Sequence, residues 1–195
     1  MTLVNRFFGH LSTITKHRVL VRHMCFKCHM YKQGLLHDLS KYSPSEFIPS
    51  IKYYQGYRSP ISYEKELIGY SECWLHHKGR NKHHWEYWID RKQNDLVCLE
   101  MPFNYVLEST LDKIAASKVY QKDNYTDNSP YDFFFNSYEI NVMNKKTANQ
   151  ILDLLKYLKN NGEENTLNYI KDLYLNWKKS VWFRYIYLYF IWKLH

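Results

Sequence analysis

Histidine and aspartate are placed in this chain as metal ligands could be. Ten residues are His, and nine of them fall by position 84. In chain order the candidate donors are His10, His17, His37-Asp38, His76-His77, His83-His84 and Asp112. Imidazole nitrogen and carboxylate oxygen suit borderline-hard divalent metals. One ion takes three or four such groups, and a two-metal site takes about six with a shared carboxylate. The chain has enough of both types.

Spacing narrows the choice. His10 and His17 are two helical turns apart on one face. They are also about 10 Å apart along the axis, too far to bind one ion together. One of the two is a ligand and the other a neighbouring or core residue. Whether His76, His77 or neither is a ligand also stays open. Glu108 and Asp112 share a helix face, where two carboxylates repel by about 0.2–0.5 kcal/mol unless a cation lies nearby. Ala115 and Ala116 follow, small enough to let this helix approach a crowded centre. Taken singly, each group has a plain explanation: a hydrogen-bonded core histidine, or a solvated basic loop over His76–His84. Taken together, they would be costly to bury without a metal.

The elements that must position these groups read as mostly helical. Apolar spacing predicts a helix from Gly9 to Tyr31, punctuated by Gly34. Ser43-Pro44-Ser45-Glu46 reads as a capping box opening the next helix, which accounts for Glu46 without a catalytic role. Further helices are predicted over 62–77, broken by Lys78-Gly79-Arg80-Asn81, over 102–121, and over 147–159, stopping at Asn160-Asn161-Gly162. Asn81 reads as an N-cap for the segment His83–Trp88. Trp85, Tyr87 and Trp88 read as wall and core. Strand patterns are weak throughout. The expected architecture is all-α: one compact helical domain over 1–160 and an aromatic-rich helical appendage over 161–195.

Composition sets outer bounds. Hydrophobic content of 45% fits a globular chain, and 6 Gly with 5 Pro argue against a loop-rich or collagen-like one. The N-terminus has no apolar stretch long enough for a signal peptide, and no window reaches the length of a membrane span. Four cysteines without such a signal read as reduced thiols in a cytoplasmic protein. Cys25 and Cys28 form a lone CxxC and read as small apolar residues on a core-facing helix. The formal charge of +8 invites a nucleic-acid partner, but the positive residues are not gathered into one block. In the tail, Lys178 and Lys179 beside Trp177 and Trp182 lead into the apolar run 181–194. That run would suit a peripheral membrane contact, although a core-closing helix or a homodimer contact is the favoured reading.

At HDLSKYSPSEF the sequence resembles the HD-domain superfamily of metal-dependent phosphohydrolases. The resemblance implies an all-α HD-domain-like bundle with ligands His17, His37-Asp38 and Asp112. His77, His83 and His84 resemble the added histidines of two-metal variants, and Lys41 matches the lysine of the HDxxK pattern. More narrowly, HDLSKYSPSEF followed by WLHHKGRNKHHWEYW resembles a small bacterial and phage family, domain of unknown function 5662, over about His10 to Leu158. That family has no assigned activity.

On this resemblance, Asp38 bridges one or two divalent ions, with Mn, Fe, Mg, Ni and Zn all candidates. One ion takes His17, His37 and Asp112, and the other takes His77, His83 and His84. The substrate is a small phosphoester, a nucleotide or similar, attacked by a metal-activated water. Lys41 and Arg80 neutralise charge on the phosphoryl oxygens. The competing expectations are a di-iron oxygenase of HD-like fold and a non-catalytic module binding a phosphate ligand or nucleic acid.

Overall fold

A computed structural model describes residues 1–194 of the chain, with side chains described through Phe183. Helix α1 covers Leu3–Lys27 and is capped by Thr2, whose hydroxyl accepts from the Asn5 N–H at 3.3 Å. The cap starts the helix well before Gly9. It ends before Tyr31 because His29 turns left-handed, at φ 61. Helix α2, Tyr31–Leu36, contains Gly34 rather than stopping at it. A Cβ on Gly34 would lie 2.9 Å from the Cys25 Cβ, so the glycine serves close packing of α2 on α1.

A 3-10 turn over Leu39–Tyr42 leads to α3, Pro44–Tyr53. The expected helix over 62–77 is two helices, α4 (Pro60–Ile68) and α5 (Glu72–Lys78). Gly69 separates them at φ 83, and Ser71 caps α5 by accepting from the Trp74 N–H at 3.0 Å. A second 3-10 turn, Trp85–Trp88, precedes an antiparallel hairpin of β1 (Ile89–Lys92) and β2 (Asp95–Cys98), with Ile89 opposite Cys98. The hairpin is mostly exposed, so it lacks the apolar alternation that marks a strand in sequence.

Helix α6 spans Phe103–Gln121. Two short helices follow, α7 (Ser129–Phe135) and α8 (Glu139–Val142), where the sequence had suggested loop at 123–130 and nothing definite beyond. The last helix, α9, runs Lys145–Leu194 and is interrupted at Gly162, which takes φ 79 and ψ 167 where a stop was expected.

The centre of the bundle is α6. Val106, Leu107, Ser109, Thr110, Leu111, Ile114 and Ala115 are all buried, so this helix is covered on several sides and shows no single apolar stripe. Val21, Met24 and Cys25 of α1 pack in the same core, as do Ile151, Leu155 and Leu158 of α9. So do Leu167, Ile170 and Tyr174, beyond Gly162. The core thus continues across the expected boundary at 160/161. Cys25 and Cys28 are fully buried within it, and the Cys28 thiol donates to the Leu167 carbonyl at 3.4 Å. Trp182 and Phe183 are exposed. The side chains of 184–195, which carry most of the suggested membrane-contact run, lie outside the described residues. Among the described residues no helix is long and apolar enough to cross a membrane.

Gly34 offers a direct test of the α1–α2 contact. Gly34→Ala places a methyl against Cys25 and the Phe26 ring in a region with no slack. It should lower unfolding free energy by about 1–3 kcal/mol in urea titrations. A neutral result would mean that the two helices are not in this contact.

Candidate metal centre

Five segments bring their polar side chains to one point. His17 comes from the middle of α1, and His37 and Asp38 from the corner after α2. His77 ends α5, His83 and His84 follow in the next turn, and Glu108 and Asp112 lie one turn apart on α6. Asp38 holds a left-handed conformation, φ 53 and ψ 24, which aspartate tolerates better than most residues. The corner is fixed from outside by Arg18, which donates from Nε to the His37 carbonyl at 2.8 Å and from Nη2 to the Leu35 carbonyl at 3.3 Å.

Two groups of possible donors share Asp38. The first is His17, His37, Asp38 and Asp112; the second is Asp38, His77, His83 and His84. Within each, the donor atoms lie within 4.8 Å of one another. In the first group His17 Nε2 is 2.9 Å from Asp112 Oδ1 and 3.4 Å from His37 Nε2, and His37 Nε2 is 3.4 Å from Asp38 Oδ2. In the second, His77 Nε2 is 2.9 Å from His84 Nε2 and 3.2 Å from Asp38 Oδ1, while His83 Nε2 is 3.4 Å from Asp38 Oδ1. With metal–ligand bonds of about 2.1 Å, neighbouring donors are about 3.0 Å apart in an octahedron and about 3.4 Å in a tetrahedron. The separations match the edges of such a shell.

The outward ring nitrogens decide which protons these imidazoles carry. His37 Nδ1–H donates to Glu108 Oε1 at 3.0 Å, and His83 Nδ1 lies 3.2 Å from the same oxygen. His77 Nδ1–H donates to Glu46 Oε2 at 2.7 Å, and the other Glu46 oxygen accepts from His76 Nδ1 at 2.6 Å. A carboxylate can only accept, so Nδ1 carries the proton and Nε2 presents a lone pair inward. When these rings are neutral, lone pairs face lone pairs and the Asp38 carboxylate. Asp38 is 0% exposed, and neither of its oxygens, nor His83 Nε2, accepts a well-formed hydrogen bond. Buried acceptors in this state call for protons on the imidazoles or for a cation between them. Lys41, with Nζ 2.6 Å from Asp38 Oδ2, supplies one charge at the edge. A divalent metal ion fits the remainder. The Glu46 and Glu108 contacts have the form of the carboxylate–histidine pairs that fix imidazoles at metal sites.

The charges agree with this. Burial opposes ionisation of Asp38, yet His37, Lys41 and His77 hold its carboxyl well below the usual range. Asp112 is also held low, against burial, by its contacts with His17 and His37. Burial disfavours a charged His83, but Asp38 and Glu108 lift it to about 10. His37 is raised too, against burial, chiefly by Asp38. His84 goes down, through burial and the adjacent His83 and His77. In the absence of a cation the cluster therefore holds protons that a metal must displace.

Two joined cavities reach this cluster. The inner one, about 150 Å³, is lined by His17, Lys41, His77, His84 and Asp112. The outer one, about 510 Å³, also touches His83, His84 and Asp112. Ser59, Trp74, Ala116 and Tyr120 line both.

Of the residues left open by sequence, His17 and His77 lie in the possible donor groups. His10 is buried against Phe47 and Tyr54 and belongs to neither donor group, and His76 binds Glu46. Three readings need correction. Glu46 does not close a capping box: Ser43 makes no side-chain cap bond, and the Glu46 carboxylate is turned inward to two histidines. Asn81 does not cap the next segment with its side chain; its Nδ2 donates to the His77 carbonyl at 2.8 Å and to Ser40 Oγ at 2.9 Å. Arg80 is exposed, lines neither cavity, and reaches back to the His76 carbonyl at 3.4 Å. The arginine that lines the outer cavity is Arg58. The role of Glu108 was also missed, although its pairing with Asp112 was a signal for it.

A family model described as a family of unknown function (DUF5662) matches residues 6–157. No curated protein and no solved structure matches the chain.

Glu108→Gln, which cannot accept two Nδ1 protons on one anionic oxygen, should weaken metal binding about 10–100-fold. Calorimetric titration would read this, together with protons released on metal uptake; an unchanged affinity refutes the orienting role. His10 tests a separate point. Burial, then Lys41, lowers it from 6.5 to about 4, so the folded protein keeps it neutral while the unfolded chain takes up a proton below 6.5. Stability conferred by the neutral form is thus lost as pH falls from 6.5 towards 4, by up to about 3 kcal/mol. His10→Gln should flatten that part of the urea-stability profile, and an identical slope in both proteins would remove the assignment.

Proposed function

We propose that this chain, which belongs to the family of unknown function DUF5662, is a metal-dependent phosphohydrolase acting on a small phosphoester. The observation that carries the reading is the pair of donor groups sharing Asp38 beside a lysine, at the inner end of an open cleft. The order of the donors along the chain supports membership of the HD-domain superfamily.

His17, His37, Asp38 and Asp112 would hold one ion, and Asp38, His77, His83 and His84 the other. Bound metal supplies Lewis acidity towards the phosphoryl oxygens and acidifies water at neutral pH. Glu108 and Glu46 keep the Nε2 lone pairs aimed inward by holding the protons on Nδ1. Lys41 reaches the inner cavity as a fixed positive charge, because Asp38 and Asp112 keep its ammonium protonated against the effect of burial. It neutralises charge that grows on the phosphoryl group during attack. Arg80 has no place in this arrangement.

A second reading, a di-iron oxygenase, is favoured by one feature: the donors are nitrogen and oxygen alone, with a shared carboxylate, which suits iron as well. Bound iron with oxygen consumption and no phosphate release would select it.

The test starts with protein purified without chelators. It should contain stoichiometric divalent metal, lost in Asp38→Ala, and should release phosphate from a phosphomonoester panel. Lys41→Met should keep the metal and lower kcat about 10²–10³-fold, whereas Arg80→Ala should change neither. Metal-free protein under every supply condition would falsify the proposal.

A further inference from the structure

The two cavities differ in what they can enclose. The inner one, about 150 Å³, is smaller than the ~300–1,000 Å³ of sites that hold an organic ligand, whereas the outer one, about 510 Å³, falls within that range. A phosphoester with its phosphoryl group at the inner end must therefore carry its organic part in the outer cavity. The two spaces meet at Ser59, Trp74, Ala116 and Tyr120, which line both.

Helix α6 forms one side of this junction. Asp112, Ala116 and Tyr120 are spaced four apart, hence along one face, over about 12 Å of helix. Asp112 belongs to a donor group and Tyr120 borders the outer cavity. Between these two stands Ala116, with only a methyl group. Its neighbour Ala115 is fully buried in the core, whereas Ala116 is only partly covered. Close packing of α6 therefore falls to Ala115, and the small side chain at 116 leaves the cleft open. A longer side chain at 116 would stand in the space the two cavities share.

Farther out the wall is aromatic, with Tyr57, Trp74, Trp85, Tyr120 and Phe133 among its lining. Tyr57, from the loop between α3 and α4, and Phe133, from α7, are each 69% exposed. Rings left in water on separate elements around one cavity are a ready surface for a flat guest.

We propose that the outer cavity receives a flat aromatic ring carried by the alcohol of the phosphoester, and that Ala116 is the specificity-determining residue that makes room for it. This rests on the phosphohydrolase reading, which puts the phosphoryl group beside Lys41 and the donors. Stacking on an aromatic wall tolerates many rings, so aryl and nucleoside phosphates share the required chemistry.

Phosphonates, which have a carbon–phosphorus bond in place of the ester, separate binding from turnover. Metal-loaded full-length protein is titrated calorimetrically with methylphosphonate and with 1-naphthylmethylphosphonate. The naphthyl compound should bind at least about tenfold more tightly. Ala116→Leu should bring that ratio close to one. Phe133→Ala, which shortens an exposed side chain and leaves the core intact, should lower it about two- to tenfold. Turnover of phenyl phosphate against adenosine monophosphate then tells an aryl from a nucleoside source of the ring. Equal affinity for the two phosphonates in the wild type, or binding of neither, overturns the ring site even if phosphomonoesters are cleaved; this arm needs no variant to fold. A ratio unchanged in folded Ala116→Leu overturns the role of Ala116. A ring preference that follows the expected pattern, in a protein that cleaves no phosphomonoester, upholds the ring site and removes the hydrolase instead.

Discussion

The constraint on which the structure turns is the buried carboxylate of Asp38. It faces His37, His77 and His83 at 3.2 to 3.4 Å, with His17 slightly farther at 3.6 Å. Removing a charge from water is costly, and it is offset here only by Lys41 and by protons or a cation among the imidazoles. Most of the polar architecture follows from that situation. Lys41 touches Asp38 from one side, and Glu46 and Glu108 pin protons on the far ring nitrogens. The shell beyond the donors adds two carboxylates, Glu46 and Glu108, to the two among the donors, so the centre is built to receive positive charge.

The same constraint explains why α6 is the central helix. It must bring Glu108 to the outward nitrogen of His37 and Asp112 to the inward one, from a single helix face. Between and around these two residues it is packed by Leu107, Leu111, Ile114 and Ala115 against α1 and α9. One helix therefore fixes the hydrophobic core and the ligand geometry together. Glu108 also links the halves of the site, because one of its oxygens lies near both His37 and His83. A displacement of α6 would disturb both donor groups at once.

Much of this was legible in residue types and spacing. The histidines, the His-Asp pair and a later inward aspartate appear in the sequence in the order in which the fold gathers them. Helical period placed α6 almost to the residue, and Asn-Asn-Gly marked the interruption of α9. What was not legible were side chains with two plausible uses. Glu46 satisfies the capping-box pattern, but only tertiary packing shows that its carboxylate is turned towards His76 and His77. Arg80 lies beside the histidine-rich segment in sequence, whereas the chain beyond α5 carries it outward, and Arg58 reaches the cleft from a loop 22 positions earlier. The break at Gly69 and the exposed hairpin leave too little apolar periodicity to be read.

Charge that seemed global becomes local in this arrangement. A formal excess of +8 suggested an anionic polymer as partner, yet the strongest positive requirement sits inside the bundle, where Asp38, Glu46, Glu108 and Asp112 are buried or nearly so. Of the lysines and arginines, Lys41 lies against Asp38, and the cations bordering the outer cavity, Arg58 and Lys113, already answer Glu66 and Glu139. At its inner end an anion drawn into the cleft would meet Lys41 and whatever metal the donor groups hold. The outer end offers mainly aromatic surface. Arg80 takes no part in either end of the cleft, because the chain beyond α5 carries it outward to the His76 carbonyl.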